Sequence, residues 1–468
     1  MPPKPNRIVP LLVGSALFMD NIDSSILSTA LPAVARSLDT SPQHLSLAIT
    51  SYLLSLAMFI PLSGWMADRF GGRVVFRAAI TVFVLGSIAC GLSQSLMQLV
   101  GARILQGIGG AMMVPVGRLV LLRTVPKSEL VGAMTWLTTP ALIGPLLGPP
   151  LGGLIVTYFS WPYIFFVNVP IGLLILVLAG RFIPDGRETE IRPLDFAGFI
   201  LMALTLSGIM FGFETVGRDV VPPAAVATLL AIGGTALLLY ILHARRTDHP
   251  VVDLTLLRIQ TFRAAIAGGA LIRIGVGALP FLLPLLLQLG FGLSPLISGL
   301  LTLTAAIGAL LMKLTAAPAI RRFGFRRVML VTTIISALLL MAPGSFSPST
   351  PYIVILSVLL VGGYFRSLLF TSLNALAYAD VPPARMSRAT TLASTAQQVA
   401  FSLGVGCGAL VLHLTLVWSG APELGADDFG PAFLVIGLVS MLALAFFVPL
   451  SPDAGAEMSG RPAKTGRD

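Results

Sequence analysis

Two carboxylates three residues apart, Asp20 and Asp23, stand in the otherwise apolar stretch LFMDNIDSSILSTALP, residues Leu17 to Pro32. A helix with that spacing carries both on roughly one face. Inside an apolar segment an ionisable side chain normally meets a partner or a wet cavity. Two charged carboxylates so close repel each other, which suits the pair to taking up and releasing a proton. The alternative is that both only balance a buried base such as Arg103. Further basic residues, Arg118, Arg273, Lys313 and Arg366, also lie inside apolar segments. Arg103 and Gln106 share a helix face, Arg273 precedes Gly277, Pro280 and Pro284 in a segment expected to bend, and Asn374 lies two turns beyond Arg366. Gln106, Arg273, Arg366 and Asn374 are therefore the expected substrate contacts. Lys313 and Arg366 could equally extend their long stems to a membrane interface.

These side chains must be held by membrane helices. The chain of 468 residues is 56% hydrophobic and only 11% charged, with a mean hydropathy of +0.92. Soluble domains carry roughly a quarter charged residues. Apolar runs of about 20 residues, long enough to cross a bilayer, recur from Val9 to the run that begins at Pro431. Fourteen spans are expected, and the stretch from Arg327 to Pro343 is the weakest. The 30 basic against 20 acidic residues could suggest a nucleic-acid partner. Their distribution argues against one. With the N-terminus in the cytoplasm, Arg69, Arg73, Arg245, Arg246, Arg321, Arg322, Arg326 and Arg327 fall on the cytoplasmic side, and Arg36 and Arg218 on the other. This positive-inside bias places both termini in the cytoplasm of a multi-pass protein. Cys90 and Cys407 sit singly in apolar helices and read as small hydrophobes rather than a disulfide or metal ligands.

An internal repeat organises the chain. ADRFGGRVV, Ala67 to Val75, follows the second span, and IRRFGFRRV, Ile320 to Val328, follows the tenth. Matching the two leaves a surplus of two helices between six-helix halves. The expected division is a bundle at 1–192, two linker helices at 193–246, a second bundle at 247–450 and a disordered cytoplasmic tail at 451–468. Parallel repeats of this kind are typical of alternating-access transporters.

At these motifs the chain resembles the major facilitator superfamily, and within it the fourteen-span drug:proton antiporters. Gly64-Trp65-Met66-Ala67-Asp68-Arg69-Phe70-Gly71-Gly72-Arg73 is similar to the family's loop between helices 2 and 3, and Arg103-Ile104-Leu105-Gln106-Gly107 to its helix 4 motif. Gly144-Pro145-Leu146-Leu147-Gly148-Pro149-Pro150-Leu151-Gly152-Gly153 resembles the antiporter motif of helix 5, and WPYIFFVNVPIG, Trp161 to Gly172, the start of helix 6. Asp23 fits the family's pattern of an Asp followed by Ala-Leu-Pro, here Ala30-Leu31-Pro32; Asp20 does not.

The resemblance implies a proton-coupled exporter of drug-like molecules in a bacterial-type inner membrane, an all-α integral membrane protein of the major facilitator fold working by rocker-switch alternating access. It implies Asp23, with Asp20 and Arg103, as the proton-coupling group. Gly64, Asp68, Arg69, Gly71 and Arg73 become a conformational motif, with Asp68 latching onto the start of helix 13 near Ser387, and Gly144, Pro145, Gly148 and Gly152 a second one. The unbalanced bases keep open an exporter of organic anions or anionic metal chelates, and a proton-linked uptake symporter shares the fold. The expected partners are a small-molecule substrate, protons and lipid, with the chain a monomer. No phosphate-binding loop, metal cluster or nucleophile triad is evident in the sequence, so neither an enzyme nor a cofactor is expected; the proton gradient would drive transport.

Overall fold

The computed structural model describes residues 8–40, 42–184, 193–215, 222–419 and 425–459. Arg218, expected on the non-cytoplasmic side, lies outside the described residues. Among those residues the chain is helical without strands, as an apolar backbone in lipid requires, because every N–H and C=O must be bonded within its own segment.

The first six helices are α1 (Ile8–Ser37), α2 (Pro42–Phe59, continued through a short turn as Ser63–Phe70), α3 (Gly72–Gly91), α4 (Leu96–Thr124), α5 (Leu130–Tyr158) and α6 (Tyr163–Phe166 and Asn168–Phe182). Two more follow, α7 (Phe196–Thr215) and α8 (Pro223–Ala244). The last six are α9 (Gln260–Gly290), α10 (Pro295–Met312, continued as Ala316–Phe323), α11 (Phe325–Met341), α12 (Tyr352–Leu376), α13 (Met386–Ser419) and α14 (Gly430–Met441, continued as Leu444–Phe447). Eleven of these helices are long and apolar enough to cross a membrane, or up to thirteen with each bent pair taken as one span. α1, of spanning length at 30 residues, carries Asp20, Asn21 and Asp23 within it. The weakest expected span is α11, and the segment Phe325–Ser345 is fully apolar enough to cross, with a mean hydropathy of 1.9.

The packing repeats. In the first half α1 packs on α5 and α6, and α4 on α2 and α3; in the second, α9 packs on α13 and α14, and α12 on α10 and α11. Each pairing thus recurs eight helices later, which makes the architecture two pseudo-symmetric six-helix halves with two helices between them. Gly71 and Gly324, the matching glycines of the repeated loop, end their helices at φ of 89° and 77°. Only glycine takes that conformation without strain. The inserted α7 wedges against α2 and α13, while α8 packs on α7 and leaves most of its surface to lipid, with only 17% buried.

α9, expected to bend, departs from regular α-helical winding. The helix passes through π-helical turns at Ala264–Gly268 and at Leu286–Gly290, the second just beyond Pro280 and Pro284. Proline removes a backbone donor and disturbs the preceding turn, and such widened turns absorb the disturbance.

The tail differs from expectation over its first residues. Ala456–Ser459 forms a short helix, α15, in which Met458 is buried and Glu457 pairs with Lys127 at 3.2 Å. Gly455 turns with φ +70° against Phe325, and this apolar contact holds a segment whose composition alone reads as disordered. Residues 460–468 lie outside the described residues.

Candidate functional site

Asp23 lies in the interior of the first half, 2% exposed, on the face of α1 that meets α4 and α6. Its Oδ2 accepts from an Arg103 guanidinium nitrogen at 2.6 Å, and its Oδ1 accepts from Gln106 Nε2 and Asn168 Nδ2, each at 2.8 Å. Arg103, on α4, is fully buried; it also donates to Gln106 Oε1 at 2.6 Å and to the Ala48 carbonyl at 3.2 Å. Its guanidinium lies over the Tyr52 ring, 4.2 Å from the centroid. Ser87 of α3 closes the network, accepting from Gln106 at 2.8 Å and from Asn168 at 3.2 Å. A carboxylate with one ion pair and two amide donors is held in one geometry. Burying such a pair gives little net stability, but leaving one partner alone costs several kcal/mol.

Asp20, one helical turn earlier, is half-buried and has, among the described residues, a single side-chain partner, the Tyr52 hydroxyl, which donates to its Oδ1. The same Tyr52 therefore holds Asp20 by its hydroxyl and Arg103 by its ring face. Gly110 permits this, because a Cβ there would come within 3.0 Å of the Tyr52 hydroxyl. The two carboxylates do not share one environment.

Gln106, expected on a cavity wall among the substrate contacts, is instead fully buried with both amide atoms engaged in the network. Spacing placed it beside Arg103; the depth of α4 within the bundle decides which way that face looks. Arg273 and Asn374 do come together, with the guanidinium donating to Asn374 Oδ1 at 3.3 Å and lying 5.5 Å from the Phe370 ring. Arg366 is buried on α12 without a hydrogen-bond or ion-pair partner among the described residues, so it does not reach an interface. Lys313 sits at the 60° break of α10, where its Nζ donates to Thr138 Oγ1 of α5 at 2.6 Å.

The two motifs occupy contacts between helices. Asp68 accepts from the Ser387 hydroxyl at the start of α13 and from Arg123 at 3.2 Å. Gly64 lies so close to α13 that a Cβ would come within 3.0 Å of the Ser387 carbonyl, and Ser63 meets Thr391 at 3.4 Å. Arg69 lies over the Trp65 and Phe70 rings, and Arg73 donates to the Gly180 carbonyl. In α5, Gly144 and Gly148 press on Asn21 and Ser25 of α1, Gly152 is buried, and Pro145 is exposed. Small residues at spacing four bring two membrane helices into close packing in this way.

Hydrogen bonds between the halves gather at one end, where α2, α4, α10 and α12 finish: Ser387 to Asp68, Ser63 to Thr391, Lys127 to the Ala379 carbonyl, and Lys313 to Thr138. This end also carries most of the loop arginines.

Sequence reasoning missed Tyr52, Ser87 and Asn168. Asn168 lies inside the quoted WPYIFFVNVPIG, where an amide among apolar residues is itself a signal; Tyr52 and Ser87 have none. A clamp by Asp253, which accepts from Arg385 at 2.8 Å and Arg388 at 3.0 Å to tie the segment before α9 to the start of α13, also went unread.

A family model for the Major Facilitator Superfamily matches residues 13–255 and 265–465. A protein of Escherichia coli O6:H1 whose name marks it as a candidate multidrug resistance protein, MdtD, is 38% identical over 437 residues, 93% of either chain. Its counterpart in Shigella flexneri is 38% identical over 439 residues, 94% of this chain and 92% of that protein. Among solved structures, the human organic anion transporter MFSD10 (TETRAN) superposes with a TM-score of 0.69 at 15% identity, over 95% of this chain and all of that one. The proton:xylose symporter XylE bound to 6-bromo-6-deoxy-D-glucose gives 0.65 at 16% identity, over 97% and 98%. At that identity the two structures speak for the fold alone. The chain belongs to the Major Facilitator Superfamily and is a multi-pass membrane transporter rather than an enzyme.

Proposed function

We propose that the protein is a proton-coupled exporter of small organic molecules, a monomer of the bacterial inner membrane with both termini in the cytoplasm, in which the two halves rock about a central substrate site. The multidrug resistance names of its relatives and the glycine-proline motif of α5 favour export over uptake. The clustering of loop arginines at the latched end favours the cytoplasm for that end.

One observation carries the coupling. Of the two carboxylates in α1, Asp23 is saturated with donors, while Asp20 has one hydroxyl partner among the described residues. Asp20 is therefore the group that takes and gives the proton, and Asp23 with Arg103 is the fixed charge beside it. In the conformer with the cytoplasmic end latched, Asp20 accepts a proton from outside. The latch then parts, substrate enters from the cytoplasm, and the proton leaves. Each latch hydrogen bond contributes about 0.5–1.5 kcal/mol, or about 1.5–3 where one partner is charged, so differential binding of a ligand is enough to shift the equilibrium.

Proteoliposomes of purified protein with an imposed pH gradient test this reading, with ethidium as lipophilic cation and carboxyfluorescein as organic anion. Substrate addition should dissipate the gradient in the wild type and not in Asp20→Asn. Uphill export by Asp20→Asn at the wild-type rate sinks the assignment. Proton flux in the same direction as substrate makes the protein a symporter.

A further inference from the structure

After its last long helix the chain crosses from one half to the other. α14 ends at Phe447 in the second half, and Leu450 just beyond it is buried. Gly455 then turns against the same half, so closely that a Cβ there would stand 2.9 Å from the Phe325 side chain and 3.1 Å from that of Leu376. From this turn α15 reaches the first half. It packs on the Lys127–Glu129 turn and on α5, while still touching the Ala316–Phe323 part of α10. Met458 is 1% exposed, and Glu457 accepts from Lys127 at 3.2 Å.

Lys127 belongs to the first half and meets the second at two points, the Ala379 carbonyl at 3.3 Å and Glu457 of the tail. Beside it the seam between the halves is not filled. A cavity of about 470 Å³ is lined there by Leu122, Lys127 and Leu130 on one side and by Tyr378, Val381 and Met386 on the other. Protein interiors are ordinarily close-packed, so direct helix packing does not close this part of the latched end. The tail adds a contact that does span the seam. Its reach is short: α15 has four residues, about 6 Å of helix, and Gly455 is held by the second half. Parting of the halves at this end by more than that length pulls α15 off the first half.

We propose that Gly455–Ser459 is a strap that holds the latched end shut, with Met458 as its buried anchor and the Glu457–Lys127 pair as a second, weaker tie. The strap's contacts with the first half exist only in the latched conformer, so they bias the equilibrium between conformers without touching substrate. One buried side chain and one exposed ion pair hold it, which lets it release in each cycle and makes it a brake on opening. The inference rests on the alternating-access reading, in which this end opens.

Maleimide labelling of Ser63→Cys, a position that meets Thr391 across the seam, reads opening. Met458→Asp should raise the labelling rate roughly tenfold, the order expected for losing the burial of one apolar side chain of this size. Met458→Leu should stay near wild type. Glu457→Gln should raise the rate by less than about threefold, because an exposed ion pair contributes little. A chain ending at Ser451 should match Met458→Asp and still unfold in a single thermal transition. Wild-type rates in both Met458→Asp and the shortened chain overturn the strap. A rise in Lys313→Met without one in the tail variants also overturns it and leaves alternating access standing; constant labelling in every variant, with and without substrate, overturns alternating access itself. A disulfide between Lys127→Cys and Glu457→Cys should form on oxidation and stop export, and reductant should restore it. Export at the wild-type rate by the cross-linked chain, or failure of the two cysteines to join, refutes the strap.

Discussion

The two halves share one packing plan and treat buried charge in opposite ways. In the first, Arg103 meets Asp23 at 2.6 Å, and two amides and a serine complete the shell. In the second, Arg273 has only an amide partner, and Arg366 has none among the described residues. Duplication preserved what the backbone needs, the turn glycines Gly71 and Gly324 and the order of helix contacts. It did not preserve the polar interior. A saturated pair fixes a bundle, whereas an unpaired cation in the same setting gains stability only when something else supplies the charge.

The largest effect expected from this difference is on stability. Arg103→Ala leaves Asp23 buried without its counter-charge and should cost about 3–5 kcal/mol, enough to reduce the yield of folded protein and lower the thermal midpoint in detergent. Arg366→Gln should cost nothing or raise the midpoint, because it removes a buried charge that lacks a partner. Equal losses in the two variants would erase the contrast between the halves.

The next effect separates the two carboxylates. Asp20→Asn should keep the wild-type thermal midpoint and lose gradient-driven export, while still exchanging substrate across the bilayer at equilibrium. Asp23→Asn should lower the midpoint, because the Arg103 guanidinium then faces a neutral amide. Exchange and unfolding measured on the same preparations decide it. A loss of coupling confined to Asp23→Asn would return the proton to the more regular of the two positions.

Much of the scaffold was legible. The helices fall where apolar runs of about 20 residues recur from Val9 onward, since bilayer thickness sets a length that composition reveals. Asp68 and Ser387 meet as their motif implies. The interior was legible only as a list of polar residues. Periodicity says that Arg103 and Gln106 share a face, but not whether that face meets a cavity or three other helices. Tyr52 and Ser87 gave no signal, because one hydroxyl in an apolar helix is ordinary until a carboxylate or an amide is brought against it. The order of the tail at Ala456–Ser459 depends on a surface formed by Phe325 and Leu376, which lie far away in sequence.

At the latch between the halves the effects become smaller and bear on conformation. Gly64→Val would force a branched side chain against the Ser387 carbonyl and the Thr391 hydroxyl. Overpacking of this kind costs about 1–3 kcal/mol, here charged to the latched conformer. The variant should therefore label faster than wild type at a cysteine placed at Ser387. Unchanged labelling would mean that this contact persists throughout the cycle.

Thr138→Val is the mildest change and tests a C-terminal cation that has a partner in the other half. Lys313 loses the hydroxyl it donates to at 2.6 Å, while the shape of α5 is kept. A hydrogen bond to a charged group contributes about 1.5–3 kcal/mol where it is buried; Lys313 is half-buried, so about 1 kcal/mol is expected, a roughly fivefold shift away from the latched conformer. Maleimide labelling of the Ser63→Cys background should rise by that factor. The same rise in Thr138→Val and in Lys313→Met would establish the bond as a latch. A rise with Lys313→Met alone would mean that Lys313 acts on the latch through its charge rather than through Thr138.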